Sequence, residues 1–538
     1  MTNVAVNGRT LYVGGHVYAP GFPFATAVFI DGDTIAWVGD DVAAGAYRDL
    51  ADTVVDCDGA FIAPGFVDAH VHATASGMAI TGLDLTGYTR RVDVIEALSH
   101  WARESGGATI IGHGWDETRW DDPRPLHREE IDRATWGSVV FLSRVDVHSA
   151  LVSSALIAAM PELQTLAGFD PSGWLRDVAV ARARSSVFAS IAPAQRKRAQ
   201  QAFLDRASQC GIVAVHEMAG PSLSSVADAR SLMELSQAGL GPDVSVYWGE
   251  LASADAVERA HQIGVVGLGG DLFVDGSLGS RTALLREPYH DDPLTMGVQA
   301  LSAHEVAEHV VAVTECGLQA GFHVIGDGAM ALVVEGLMQA ASHCGVDAMR
   351  RSRHRLEHAE MLDTASRAVL RDLGVTVSMQ PMFDALWGGA GRMYAERLGE
   401  ERASSMNAFA AIAADGLLMA FGSDSPVTPI GPWQAVHAAM AHPHAAISAR
   451  ASFHAHTRAG WRAIGRDDAG AIAPGSPAHL ALWRVAGYRD EPPDDRVSRW
   501  STDPRSGTPD LPDLDLGIPE CLRTVVHGRV VWDRGELS

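Results

Sequence analysis

The sequence predicts an α/β protein. Its main unit is a TIM-like (β/α)8 barrel with an inserted subdomain, joined to a small β-sandwich built from both chain ends. Three observations predict it. Eight short apolar runs between residues 61 and 424 are each followed by helix-like sequence, and repeated strand–helix alternation is the pattern of a closed parallel barrel. Histidines and an aspartate fall at the ends of several of these runs, where such a barrel places its chemistry. Strand-like alternation appears in residues 1–59 and returns in residues 459–538.

The eight runs are Phe61–His72, Gly211–Glu217, Val244–Gly249, Gly267–Asp275, Leu318–His323, His354–His358, Val375–Gln380 and Leu417–Asp424. Intervening stretches such as His304–Cys316 and Ala329–His343 carry apolar residues at helical spacing. The interval between the first and second runs is too long for one connection. Residues 78–200 are therefore expected to form an inserted α/β subdomain, with its own strands at Thr109–Trp115 and Val139–Val145. The barrel takes residues 60–77 and 201–458. Near the N-terminus, Thr10–Val13, Ala27–Ile30, Thr34–Val38 and Thr53–Val55 are separated by turns such as Asp31-Gly32-Asp33. Ala478–Trp483 and Arg523–Trp532, the latter turning at His527-Gly528, supply the second half of the sandwich. Asp490–Pro519, rich in Pro and Asp, reads as a loop within it.

Composition limits the partners. A chain of 538 residues with 47% hydrophobic and 20% charged residues is globular and long enough for two or three structural units. A net charge of −24 argues against nucleic acid and anionic membrane surfaces. A small-molecule substrate is the expected partner, with a homodimer as an open alternative. The five cysteines (Cys57, Cys210, Cys316, Cys344 and Cys521) form no C-x-x-C pair, which reads as buried thiols in a reducing compartment. Met1–Asp31 lacks a basic segment followed by a continuous apolar run, so no secretory leader is expected. No apolar run approaches the length of a bilayer span. The expectation is a cytoplasmic protein.

The chemistry begins at Ala63-Pro64-Gly65-Phe66-Val67-Asp68-Ala69-His70-Val71-His72. On a strand, residues i and i+2 share a face, so two imidazoles converge. With 23 histidines in the chain, chance supplies about one His-x-His pair. Two others occur, His442-Pro443-His444 and His454-Ala455-His456. Both lie in alanine-rich, helix-like sequence where i and i+2 diverge, and they are assigned structural roles. His70 and His72 gain support from His323, His358 and Asp424 at the ends of the fifth, sixth and eighth runs.

Imidazoles with a carboxylate suit zinc, with manganese, iron or cobalt as alternatives. An incompletely filled site binds water and lowers its pKa toward neutrality. Asp424 is the candidate base that moves the proton of that water to the leaving group. His358 either ligates or holds the water and substrate carbonyl. Asp68, Glu357 and His354 are candidates for orienting the ligating rings.

This set resembles the amidohydrolase superfamily. Within it, Gly114-Trp115-Asp116, Arg144-Val145-Asp146-Val147-His148, Asp275-Gly276-Ser277-Leu278-Gly279-Ser280-Arg281-Thr282, His323-Val324-Ile325-Gly326-Asp327 and Gly422-Ser423-Asp424-Ser425-Pro426-Val427 are similar to the YtcJ-like amidohydrolases, a group that includes N-substituted formamide deformylases. The similarity runs from about Gly32 to Trp532. It implies the barrel, the composite sandwich, the insertion and hydrolysis of non-peptide C–N bonds (amide or formamide type) through metal-activated water. Ester, lactone or phosphoester hydrolysis, hydrolytic deamination and a catalytically silent metal-binding barrel are the competing readings.

One departure matters. Relatives often carry a carboxylated lysine on the fourth strand, bridging two metals. Here that position is Asp271, and the chain's single lysine, Lys197, lies in the basic run Arg196-Lys197-Arg198. No carboxylated lysine is expected. One tightly held metal is, with His70, His72, His323 and Asp424 closest. Glu217 and Asp271 are candidates for extra ligation, although the Asp271 side chain is much shorter than a carboxylated lysine. Trp115, Trp120, Asp146 and His148 are candidates to cap the barrel mouth. Ser277 and Arg281 are candidates to bind polar substrate groups, and Gln380-Pro381-Met382-Phe383 to form an apolar wall.

Overall fold

The computed structural model describes residues 8–104, 109–221, 224–489 and 510–538. Residues 1–7 of the N-terminal segment and 490–509 of the Pro- and Asp-rich loop lie outside the described residues. The barrel strands are β1 (Phe66–Val71), β2 (Ile212–Ala219), β3 (Asp243–Trp248), β4 (Gly267–Leu268), β5 (Gln319–Val324), β6 (Arg355–His358), β7 (Thr376–Met379) and β8 (Leu418–Phe421). They pair in parallel and in chain order, as crossovers of one hand require. Past the end of β8 the chain meets β1. Asp424 N–H donates to His70 O at 2.8 Å and His72 N–H to Ser425 O at 2.9 Å. Asp68 Oδ1 accepts from Ser423 N–H at 2.8 Å, strengthening the same seam.

Two runs differ from the expected strands, each at a glycine. The first divides at Gly65: Phe61–Pro64 joins the sandwich and Phe66–Val71 the barrel. A Cβ at Gly65 would lie 2.1 Å from Val213 Cγ1, so this crossing needs a bare backbone. The fourth run keeps only Gly267–Leu268 in the ladder. It leaves through Gly269 and Gly270, at φ 122° and 80°, which L side chains rarely adopt. A Cβ at Gly269 would also meet Gly321 O at 2.4 Å. This detour turns the next residue, Asp271, toward the barrel mouth.

Helices cover the outside of the barrel. Ala303–Glu315 opens with a capping box between Ser302 and Glu305. It buries Val306, Val310 and Val313 at helical spacing, in one core with Phe322, Leu356 and Val377 of the strands.

The terminal strands interleave. One sheet runs Thr34–Gly39, Ala27–Asp31, Arg9–Val13, Thr53–Asp56; the other runs His16–Val17, Phe61–Pro64, Leu480–Arg484, Glu520–Val526, Arg529–Asp533. Val28 and Ile30 of the first share a core with Ile62, Leu480 and Val525 of the second.

The insertion holds a five-stranded sheet: Trp174–Arg176, Ser149–Val152, Val140–Arg144, Ile110–Trp115 and Leu83–Asp84. The boundary drawn at 200/201 falls inside the continuous helix Pro193–Gln209, and that at 458/459 inside Arg458–Ala463. No Gly or Pro interrupts residues 194–209, so nothing in the sequence marks a break there. The second helix packs on β1: a Cβ on Gly460 would lie 2.5 Å from Val67 Cγ1. All five cysteines are free. Cys57 and Cys521 are buried as expected, Cys210 and Cys344 are half-buried, and Cys316 is exposed. No single helix among the described residues is long and apolar enough to cross a membrane.

Several histidines are framework residues. His309 takes Ala252 N–H on Nδ1 at 3.0 Å and bonds Leu268 O through Nε2 at 3.0 Å. His354, a candidate for orienting a ligand, instead sits outside the barrel, taking Ala320 N–H on Nδ1 at 2.9 Å. His456 holds Val67 O at 2.9 Å, and His442 accepts Ala445 N–H at 2.9 Å.

Burial lowers the pKa of His309, His354 and His456 to about 4. Unfolding returns each to an ordinary value near 6.5, so the unfolded chain binds more protons in that window. The resulting stability is present above pH 6.5 and lost as pH falls toward 4, by roughly 3 kcal/mol for each histidine. Urea unfolding between pH 7 and 4.5 should show this loss, and His309→Gln should lessen its slope. An unchanged slope would mean that His309 contributes nothing to it.

Candidate metal centre

Six donors meet at the C-terminal ends of the barrel strands, all buried: His70 on β1 and His72 just after it, Asp271 after β4, His323 on β5, His358 on β6 and Asp424 after β8. His70 Nε2 and His72 Nε2 lie 3.4 and 3.2 Å from Asp424 Oδ1. Asp271 sits among the others: Oδ2 is 3.6 Å from His72 Nε2, while Oδ1 is 3.0 Å from His323 Nδ1 and 3.7 Å from His358 Nε2. The donors form three overlapping sets: His70–His72–Asp271, His70–His358–Asp424 and Asp271–His323–His358.

Of the four residues expected nearest one ion, His323 lies beside Asp271 and His358, whereas His70 and His72 lie beside Asp424. The argument from the short Asp271 side chain fails because the Gly269–Gly270 detour moves the backbone, and Asp271 reaches both ends of the cluster.

His70, His72 and His358 each have one nitrogen committed outside the cluster, whereas His323 bonds on both sides, Nδ1 to Asp271 Oδ1 at 3.0 Å and Nε2 to Gly276 O. His70 Nδ1 bonds Glu357 Oε2 at 2.7 Å. His72 Nδ1 bonds Met218 O at 3.1 Å, His323 Nε2 bonds Gly276 O at 3.1 Å, and His358 Nδ1 bonds Gln380 Oε1 at 2.8 Å. Every one of these partners is an acceptor, so the committed nitrogen carries a proton and the other nitrogen is turned toward the centre. Metal-ligating histidines are held in this way. His70 Nε2 and Asp424 Oδ1 are buried without a hydrogen-bond partner among the described residues. Orphaned polar atoms facing one another fit a cation.

Burial disfavours the charged form of Asp424, but His70 and His72 outweigh it and hold the carboxylate well below its ordinary range. His323 does the same for Asp271 against the same penalty. Both carboxylates stay ionised, as ligands must. Burial and the neighbouring His323 lower His358. His358 and Asp424 have positive φ, 69° and 52°, and such non-glycine residues cluster at functional sites.

The other candidates separate. Glu217 joins none of the three donor sets. Its Oε2 accepts Ala73 N–H at 2.6 Å, and burial pushes its carboxyl up to about 7, so its expected ligation is corrected to a backbone contact. Glu357 orients His70, whereas Asp68 serves the β1–β8 seam. Lys197 is exposed on the helix Pro193–Gln209.

A cavity rises from the donors. Asp146, His148 and Ser277 line it as expected, with Phe383 and Trp387 forming an apolar wall. Burial and His323 lower His148 to about 4, so its ring is neutral at pH 7. Trp115 does not line this cavity. It is fully buried in the insertion core, its Nε1–H donating to Leu142 O at 2.8 Å, and Trp120 lies in the same core. Arg281 faces away and pairs with Asp291 at 2.7 Å.

Some contributors were given no role by the sequence, although several lie within the quoted motifs. Arg144 holds Asp116, Glu117 and Asp146 at 3.1, 2.9 and 3.0 Å, and Ser280 Oγ–H donates to Asp146 at 2.7 Å, pinning the roof to the loop after β4. Asp275 accepts three backbone N–H groups, from Leu284, Ile325 and Gly326. It thereby fixes the loop whose Gly276 O holds His323. Glu360 lines the cavity with one carboxylate oxygen buried and unpaired, and burial pushes its carboxyl up to about 7.

The amidohydrolase family model matches residues 53–532. The chain belongs to the amidohydrolase family. It is 28% identical over 409 residues to YtcJ of Bacillus subtilis (strain 168), covering 72% of this chain and 74% of that one. With the N-substituted formamide deformylase of Arthrobacter pascens the identity is 23% over 497 residues, covering 85% and 90%. An uncharacterized metal-dependent hydrolase from Pyrococcus furiosus superposes with a TM-score of 0.69 at 25% identity, over 88% of this chain and 98% of that one. This amidohydrolase is accordingly a metal-dependent hydrolase of barrel fold.

The contact between Glu357 and His70 gives a prediction. Glu357→Gln removes the charge that fixes the His70 proton, and metal affinity should fall by about 10- to 100-fold, measured by competition with a chromophoric chelator. Unchanged affinity would show that His70 is oriented without it.

Proposed function

We propose that this amidohydrolase cleaves a non-peptide amide-type C–N bond, such as that of an N-formyl or N-acyl amine, in a small molecule, within the cytoplasm. One observation carries the reading: Asp424 stands at the floor of the cavity with Oδ1 unpartnered between two imidazole nitrogens. The extended similarity to a formamide deformylase supports the bond type, and a concave site with one apolar wall and a few convergent polar groups supports a small substrate.

His70, His72 and Asp424 would hold the principal ion at the orphaned end of the cluster, with Asp271 at its side. Zinc suits these donors, with manganese, iron or cobalt as alternatives. Such an ion, when bound, acidifies water and polarises a carbonyl. His323 and His358, at the other end of Asp271, would offer a second and weaker position. No carboxylated lysine takes part, since Lys197 is remote from the cluster. Dialysed protein should retain one equivalent of metal by plasma emission. Two retained equivalents would contradict a single tight ion.

The chain's own groups do the rest. Asp424, ionised and acceptor-only, takes a proton from the attacking water and returns it to the departing nitrogen. His358, its Nδ1 proton committed to Gln380, turns Nε2 toward the same centre. Neutral His148, beside Asp146 and Ser277, lines the roof where the substrate carbonyl side enters. Phe383 and Trp387 keep one wall dry.

Asp424→Asn should lower kcat on N-formyl and N-acyl amines by roughly a thousandfold while circular dichroism stays unchanged. A panel containing esters, lactones, phosphoesters and aminopurines checks the bond type. An active Asp424→Asn enzyme would remove the proton-transfer role, and turnover confined to esters or phosphoesters would remove the C–N assignment.

A further inference from the structure

A second cavity lies under the insertion, beside the first. Both are lined by His72 and Val147, so both reach the metal-side imidazole. The walls of the second are largely apolar: Met78 and Ala79 come from the helix after β1, and Ile111, Phe141 and Phe188 from the insertion. No carboxylate lines it. Arg184, on the helix Asp177–Ala189, is its one guanidinium.

Arg184 is half-buried, and it differs from the buried arginines in its partners. Arg144 faces three carboxylates; Arg196 pairs with Asp228, Arg355 with Glu357 and Arg397 with Asp291. Among the described residues, the guanidinium of Arg184 makes one hydrogen bond, to Val147 O, and no ion pair. Burial lowers its pKa to about 10, and Asp146 and Asp271 offset this only from a distance. A guanidinium carries five N–H donors in a rigid fork. Holding one beside an apolar cavity with most donors unused is costly, and such costs persist where a ligand repays them.

We propose that this second compartment receives an apolar arm of the substrate ending in a carboxylate, with Arg184 as its anchor. A planar carboxylate matches the fork in a two-bond geometry. The walls accept the hydrocarbon, and the absence of lining carboxylates leaves the charge to Arg184 alone. Calling this ligand a substrate rests on the hydrolase reading above.

The test is equilibrium binding to the metal-loaded protein by calorimetry, using 4-phenylbutanoate and its neutral counterpart 4-phenylbutanamide. The wild-type protein should prefer the carboxylate by at least about tenfold. Arg184→Gln should abolish that preference, and Arg184→Lys should keep part of it. No preference in the wild type overturns the proposal. So does a preference that survives Arg184→Gln, since the metal alone would then hold the carboxylate. Should Arg184→Gln fail to fold, Ala79→Trp fills the compartment from its other side and should weaken both probes, and undiminished binding there overturns the proposal. The readout is independent of turnover. A protein inactive on N-acyl amines that still selects 4-phenylbutanoate through Arg184 overturns the reaction assigned above and leaves this site standing.

Discussion

The ion pair between Arg355 and Glu357 orders the rest of the site. The two residues stand two apart on β6 with neither side chain exposed. A buried pair repays its desolvation only when nearly every donor and acceptor is used. Arg355 Nε lies 2.5 Å from Glu357 Oε1, and its other nitrogens bond Ala69 O at 2.7 Å and His216 at 3.1 Å. Its plane packs over Tyr247 at 4.6 Å. Glu357 Oε2 is then positioned to hold His70 Nδ1, and the Nε2 lone pair is fixed at the barrel mouth. Asp424 can approach that lone pair because Gly422 passes His70 closely. A Cβ there would lie 2.5 Å from His70 N. Breaking the pair would leave a bare charge inside the barrel and release the first ligand together.

The same logic repeats around the cluster with different acceptors. Met218 O, Gly276 O and Gln380 each commit one nitrogen of a different ring. These acceptors lie on or after β2, β4 and β7, while the rings themselves sit at β1, β5 and β6. The donor set is thus a property of the closed barrel and of no single segment. Asp271, carried inward by two glycines, links the ends of the set and shortens the distance that a longer bridging side chain would otherwise span.

The insertion adds an electrostatic division to this floor. Over the first cavity, Arg144 is neutralised by three carboxylates, so the roof there is polar without net positive charge. Over the second, Arg184 has no carboxylate in ion-pair contact among the described residues. The two compartments meet at His72, and a substrate that spans them would place its reacting bond beside the donors.

Much of this was legible in the sequence. The eight strand runs, the strand-end positions of His70, His72, His323, His358 and Asp424, and the pairing of the chain ends follow from local periodicity and residue type, which one segment reveals by itself. What escaped depends on contacts between distant segments. Trp115 and Arg281 resemble substrate-binding residues by their motifs, yet Leu142 O and Asp291 claim them. Glu217 looks like a ligand until Ala73 N–H occupies it. Asp271 looked too short because a ladder cannot be seen to end two residues into a run. Arg184 lies in an unremarkable alanine-rich helix, and only the missing carboxylate around it gives it meaning.

The central claim is that four imidazoles, each held through one nitrogen from outside the cluster, turn the other nitrogen on a shared centre with Asp271 and Asp424. Anomalous diffraction from crystals of the zinc-loaded protein, recorded on both sides of the zinc edge, tests it most directly. The account predicts a principal peak within bonding distance of His70 Nε2, His72 Nε2 and Asp424. A zinc held by His323 and His358 without His70, or no ordered zinc at the strand ends, would contradict it.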